Sequence, residues 1–202
     1  MPPPDPKAVF VNVPFNVPFD DTYERLFVSL VGTLVFLGQK PHCVLEVREK
    51  DDGRLFRILD LMRTCRMSVH DLSRTGTPVR FNMPFELGLA YALKLQHPTD
   101  YEVFALDAIQ FRLDRTLSDY KGRDPLVHGS TCHGILASLL DTFQTDVPDA
   151  ANEFRRAAIV LRKSVALMKH RSKNSSLFRP SLFRELVAVA TKIASERKFI
   201  LS

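Results

Sequence analysis

Glycine is scarce, eight residues in 202, and none falls in a GxGxxG or GxxxxGK arrangement, so neither a dinucleotide fingerprint nor a P-loop is present. A GxSxG elbow is missing too, which removes the usual nucleophile of α/β hydrolases. The three cysteines, Cys43, Cys65 and Cys132, are widely spaced and form no CxxC. Reduced thiols in a cytoplasmic protein are therefore expected rather than a disulfide framework. His42-Cys43 and Cys132-His133 are adjacent pairs, whereas zinc ligands stand further apart along the chain, so neither a metal nor a cofactor is expected. No apolar run approaches membrane-spanning length, and the Pro-rich start MPPPDP lacks the layout of a signal peptide.

What is present is core material and an uneven distribution of charge. A hydrophobic fraction of 45% is ample for a core, and the length suits one domain with an appendage. The net charge of +5 divides into −3 for residues 1–148 and +8 for residues 149–202. The first 147 residues alternate short apolar strands with amphipathic helices. Strands are expected at Ala8–Val13, Pro41–Val47, Met67–Leu72 and Tyr101–Leu106, with an edge strand at Leu126–His128. Helices are expected at Thr22–Leu37, Arg54–Thr64, from Asn82, and at Cys132–Phe143. This alternation predicts an α/β, doubly wound, flavodoxin-like sheet of four to five mostly parallel strands in the order 2-1-3-4-5. Beyond Pro148, Asn152–Lys169 and Pro180–Lys198 read as a basic helical hairpin, giving domains 1–147 and 148–202.

The chain is organised around Met67–Leu93, MSVHDLSRTGTPVRFNMPFELGLAYAL. A short strand ends in the acid Asp71, and after a breaker-rich loop a helix opens with Asn82 as its expected N-cap and Pro84 in its first turn. That helix is apolar nearly all round, as buried helices are, yet carries Glu86 in its first turn. A first-turn glutamate ordinarily just meets the helix dipole. Its i+4 and i+7 neighbours are Ala90 and Leu93, however, so it shares an apolar face, where an unpaired charge costs several kcal/mol. Asn12, Asp71 and Glu86 are expected to converge at the carboxyl ends of strands one and three, where open α/β sheets bind ligands. His70 is a further candidate there, beside its plainer reading as a hydrogen-bonded core residue. Arg74 and Arg80, on the preceding loop, are candidates for an anionic group.

The order VFVNVPF followed by a tyrosine, then VHDLS, then PFELGLAYAL resembles the nucleoside 2-deoxyribosyltransferase fold and its TIR-like relatives. In those transferases an acid follows strand three and a catalytic glutamate sits in a Glu-x-Gly-x-Ala helix, matched here by Glu86, Gly88 and Ala90. More closely, residues 8–130 resemble bacterial proteins of unassigned activity that share an FNMP-x-ELGL signature, a likeness that takes in Ser118–Asp124. The transferases' Asp-x-Gly-Thr is replaced by Arg80-Phe81-Asn82-Met83, and the asparagine they take from a neighbouring subunit has no counterpart. The resemblance implies Glu86 and Asp71 as catalytic residues. Asn12, Phe15, Tyr23, His70, Ser73, Arg80 and Asn82 are the expected substrate contacts.

The expected activity is cleavage of an N-glycosidic bond, by hydrolysis or transfer, in a nucleotide, nucleoside or NAD-like molecule. A carboxylate beside an anomeric carbon stabilises or attacks an oxocarbenium-like centre. The alternative is a non-catalytic TIR-like module for nucleotide sensing or protein interaction. The expected partner is the small molecule, with a homo-oligomer allowed and no membrane. Nucleic acid is not an expected partner: the tail's basic residues are spread around their helices with little aromatic interleaving for base stacking.

Overall fold

The computed structural model describes residues 4–15, 21–46, 53–74, 81–120, 123–173 and 176–200. Five strands, β1 (Asp5–Asn12), β2 (Lys40–His42), β3 (Cys65–Asp71), β4 (Glu102–Asp107) and β5 (Leu126–Val127), form one sheet in the order β2-β1-β3-β4-β5. The β1·β3, β3·β4 and β4·β5 ladders are parallel. This is the flavodoxin-like α/β arrangement that the strand–helix alternation predicts. Among the described residues, seven α-helices accompany it: α1 (Asp21–Phe36), α2 (Gly53–Thr64), α3 (Asn82–Gln96), α4 (Arg112–Thr116), α5 (Cys132–Thr142), α6 (Ala150–Arg171) and α7 (Pro180–Glu196).

The chain divides into two compact units. The first takes Met1–Phe15 and His42–Ser130, and the second takes Asn16–Pro41 and Thr131–Ser202. The boundary expected near residue 147 thus falls inside the second unit, where α6 and α7 pack with α1 and α5.

In the first unit, one face of the β1·β3·β4 ladder presents Ala8, Phe10, Val103 and Ala105 to Ile58 and Met62 of α2 and to Met83, Leu87 and Ala90 of α3. The apolar run of β1 supplies both faces, as central parallel strands do. Three local expectations need correction. The second strand stops at His42, because the Glu46 carboxylate turns back to accept from the Cys43 N–H and meets His42 Nδ1, both at 3.1 Å, closing a 3-10 turn over Val44–Glu46. Asn82 is the first helical residue of α3 and not its cap. Phe81 occupies the cap position and offers no side-chain bond. Nor is α3 buried all round: only the stripe Met83, Glu86, Leu87, Ala90 and Leu93 is, while Phe81, Phe85 and Leu95 stand in solvent.

The second unit is helical. Phe27 of α1 meets Phe178 and Phe183 with ring centroids 5.3 and 6.0 Å away, and Phe36 meets Phe154 and Phe199, both at 5.6 Å. Gly38, at φ +75°, lets α1 end in a left-handed turn in which Gln39 N–H reaches the Leu34 carbonyl. No described helix is long and apolar enough to cross a membrane.

One buried ion pair fastens α1 to the end of α6. The Glu24 carboxylate accepts from Lys169 Nζ at 2.5 Å and from the Leu177 backbone N–H at 2.9 Å, and its side chain is 5% exposed. Removing one partner of such a pair strands the other charge without compensation. Glu24→Ala is therefore expected to cost about 3 kcal/mol of unfolding free energy. Glu24→Gln, which keeps an acceptor for the Leu177 N–H, should cost less. Urea denaturation of both variants measures the difference.

Candidate functional site

The carboxyl ends of β1, β3, β4 and β5 carry the polar residues that an otherwise apolar sheet buries. The register pairs Asn12 with His70, so both side chains leave the same face of the sheet. That face is the one α3 covers, and Glu86 is on the stripe of α3 turned toward it. Asn12 and Glu86 are each 4% exposed and His70 is fully buried.

These groups are joined by side-chain amides. Asn12 Nδ2 lies 3.1 Å from His70 Nδ1, so the amide donates, Nδ1 accepts, and the ring proton falls on Nε2. Burial lowers the His70 pKa to about 3, which keeps the ring neutral. Burial also pushes the Glu86 carboxyl above the ordinary glutamate value, against the opposing pull of the Asn12 amide, Arg54 and the Asn82 amide. The helix N-terminus does not win over desolvation here. Among the described residues, two buried polar atoms at the cluster, Glu86 Oε2 and His70 Nε2, have no hydrogen-bond partner. An oxygen and a ring nitrogen left so are groups to which a ligand can bond.

A second cluster lies at the same sheet edge. Asp71 follows His70 in β3, so the pleat sends its side chain to the opposite face. There it accepts from the Ser73 N–H at 2.9 Å and faces His128 Nε2 at 3.8 Å. Ser130 N–H donates to His128 Nδ1 at 3.2 Å, which assigns the His128 proton to the nitrogen facing Asp71. Burial raises the Asp71 pKa, but the His128 and Ser73 bonds outweigh it, and the carboxyl sits below its ordinary value. Beside it, Arg112 pairs with buried Asp107, Nε to Oδ2 at 3.0 Å, and donates to the Leu72 and Ser73 carbonyls at 2.6 and 3.2 Å. This guanidinium ties the end of β3 to the end of β4.

Of the residues singled out in the sequence, Asn12, His70, Asn82 and Glu86 are brought together. Asp71 and Ser73 are in contact with each other instead, on the side of His128. Phe15 is half-buried just beyond β1, and Arg74 is half-buried at the last described position of its loop. Tyr23 belongs to the second unit, where its ring lies 6.1 Å from Phe178. Arg80 lies outside the described residues. Sequence reasoning missed His128, Arg112 and Arg54. The rule that flagged Asp71, a polar residue at the carboxyl end of a strand, also flags His128 once Leu126–Val127 is read as a strand. Among the described residues, no group of three His, Cys, Asp or Glu side chains is placed to hold a metal ion.

His70 carries a consequence for acid stability. Its folded pKa, about 3, lies below the ordinary 6.5, so between those values the unfolded chain binds a proton that the folded chain refuses. Stability is then expected to fall as the pH drops from 6.5 toward 3, with a limiting slope of about 1.4 kcal/mol per pH unit from this residue. His70→Gln should flatten the curve across that window, as urea midpoints from pH 7.5 to 4 will show.

Comparison of the chain with protein-family models and with the curated proteins finds no match, so the chemistry of these residues is what a functional assignment has to rest on.

Proposed function

We propose that the Asn12–His70–Glu86 cluster is the site of an enzyme that cleaves an N-glycosidic bond in a nucleotide, nucleoside or NAD-like molecule. The observation that carries this reading is the Glu86 carboxylate, buried at the start of α3, with Oε2 given no hydrogen bond by any described residue. A protein that holds a carboxylate out of water with one oxygen idle gives up stability to do so. The resemblance of its helix to the transferase motif adds to that argument.

In the proposed reaction the bond from the anomeric carbon to the base nitrogen breaks and its electron pair leaves with the base. Ionised Glu86 lies against the ribose and stabilises the positive charge developing at the anomeric carbon. In hydrolysis, water supplies the new oxygen at that carbon and a proton to the departing base. In transfer, a second base supplies the new nitrogen. The Asn12 and Asn82 amides orient the carboxylate. Asp71 lies on the other face of the sheet, against His128 and Ser73, and its part in this reading is to hold the end of β3 that carries His70.

A second reading, a non-catalytic nucleotide-sensing or interaction module, is favoured by Phe81 and Phe85. They are 77% and 56% exposed in the same turn of chain as Asn82 and Glu86. That reading expects nucleotide binding without turnover.

Release of free base from NAD and from a nucleoside panel separates the two. The enzyme reading expects release, and a loss of about 10²–10⁴-fold in Glu86→Gln, the range associated with a positioned catalytic side chain. Because the ionised form is required and its pKa is raised, the rate should fall with decreasing pH through a value above that of an ordinary glutamate. Base release unaffected by Glu86→Gln would remove Glu86 from the mechanism.

A further inference from the structure

The second unit contains a cleft of about 260 Å³ that nothing in the proposed reaction uses. Its walls are apolar: Val28 and Phe36 from α1, Leu136 from α5, and Ala158 and Leu161 from α6. Gly32 forms part of the lining, and the Leu161 Cδ2 methyl sits 2.5 Å from where a Cβ on that residue would be, so any larger residue would have to push that methyl aside. Ile159, also lining the cleft, is 46% exposed.

The cleft also has a charge of one sign. Arg155 and Arg162, two helical turns apart on α6, line it together with His133 from the first turn of α5. No acidic side chain is among its described lining residues. Several cations of this unit face carboxylates: Arg156 and Arg197 meet Glu153, Lys169 meets Glu24, and Lys192 meets Glu196. By contrast, no carboxylate lies within 4 Å of Arg155 or Arg162 among the described residues. Arg155 instead rests 3.1 Å from the ring nitrogens of His133. A guanidinium has five donors and no acceptor, and a neutral imidazole offers it a single lone pair. Both arginines are exposed, so their remaining donors and their charge are open to a ligand in exchange for water.

We propose that this cleft binds a small amphipathic anion, a carboxylate carried on an aliphatic body of medium length. The apolar walls take the body, and Arg155 and Arg162 take the carboxylate, the planar fork of a guanidinium matching its two oxygens. At about 30 Å³ per water-sized share, the volume corresponds to roughly nine such shares, close to the size of a short aliphatic acid. Octanoate has that size and is the natural probe.

Cys132 supplies the readout. Its thiol lines the cleft and donates to the Arg25 carbonyl at 3.5 Å. Cys43 and Cys65 are buried, and burial pushes both thiols up, Cys65 to about 12, so they react slowly with an alkylating reagent. The rate of Cys132 alkylation by iodoacetamide in the full chain therefore reports occupancy.

Octanoate at about ten times its dissociation constant should slow the reaction about tenfold, with saturation. Octan-1-ol and inorganic phosphate at equal concentration should protect much less, the first lacking the charge and the second the body. The double substitution Arg155→Gln, Arg162→Gln, with protection measured against that variant's own unliganded rate, should weaken protection at least about tenfold. Ala158→Phe, which fills the cleft, should abolish it. No protection by octanoate would overturn the proposal. So would equal protection by octan-1-ol, which marks a merely apolar cavity, or equal protection by phosphate, which marks a site for anions of any kind. Protection undiminished in the arginine double variant would overturn it as well. The wild-type comparison alone decides the matter if a variant fails to fold.

Discussion

The pairing of β1 with β3 governs where every polar group at the sheet edge can go. Parallel strands in register send directly paired residues to the same face, and the two-residue pleat sends each next residue to the other. Asn12 opposite His70 therefore builds one cluster under α3, and Asp71, a single position later, is committed to a different one with His128. A slip of one residue in that ladder would exchange the clusters and place Phe10 on the wrong side of the core. Register is held by the apolar faces it buries, so the chemistry of the edge depends on packing in the middle of the sheet.

The two clusters handle buried charge in opposite ways. Asp71 is given donors until its ionised form is comfortable, and Arg112 with Asp107 is a closed pair that also anchors the ends of β3 and β4. Glu86 is given only side-chain amides and a more distant guanidinium, and its ionised form remains uncomfortable. A carboxylate left in that condition is far from its lowest free energy and gains from any positive charge that forms beside it. Such asymmetry between two nearby acids is what environments that divide roles between carboxyl groups look like.

Much of this was legible in the residues. The strand order followed from alternation and from the preference for right-handed crossovers. The burial of Glu86 followed from Ala90 and Leu93 at its i+4 and i+7 positions, and the structure places all three on one buried stripe. What the sequence could not convey was parity: nothing in VHD says which of His70 and Asp71 shares a face with Asn12 until the register is known. The edge strand expected at Leu126–His128 is there as β5, Leu126–Val127, but nothing in so short a run marks the next residue, His128, as the partner of Asp71. The early end of β2 comes from a side chain, Glu46, folding back on the backbone, an event that hydrophobic patterning does not record. The grouping of α1 with α5, α6 and α7 was likewise invisible, because partners so distant in sequence leave no local trace.

That last grouping bears on how the chain is made. The bonds that complete the second unit join residues 103 to 153 positions apart, Ser29 with Cys132 and Glu24 with Leu177. During synthesis α1 leaves the ribosome early, with thirteen of its sixteen residues destined for burial. The helices with which it is grouped follow only after the whole β-sheet has been translated. Until they do, a strongly apolar helix waits without its partners. Long-range closure of this kind is slow compared with pairing between neighbours. The waiting helix is thus the segment most in need of a chaperone, and the one through which a stalled or shortened chain would aggregate.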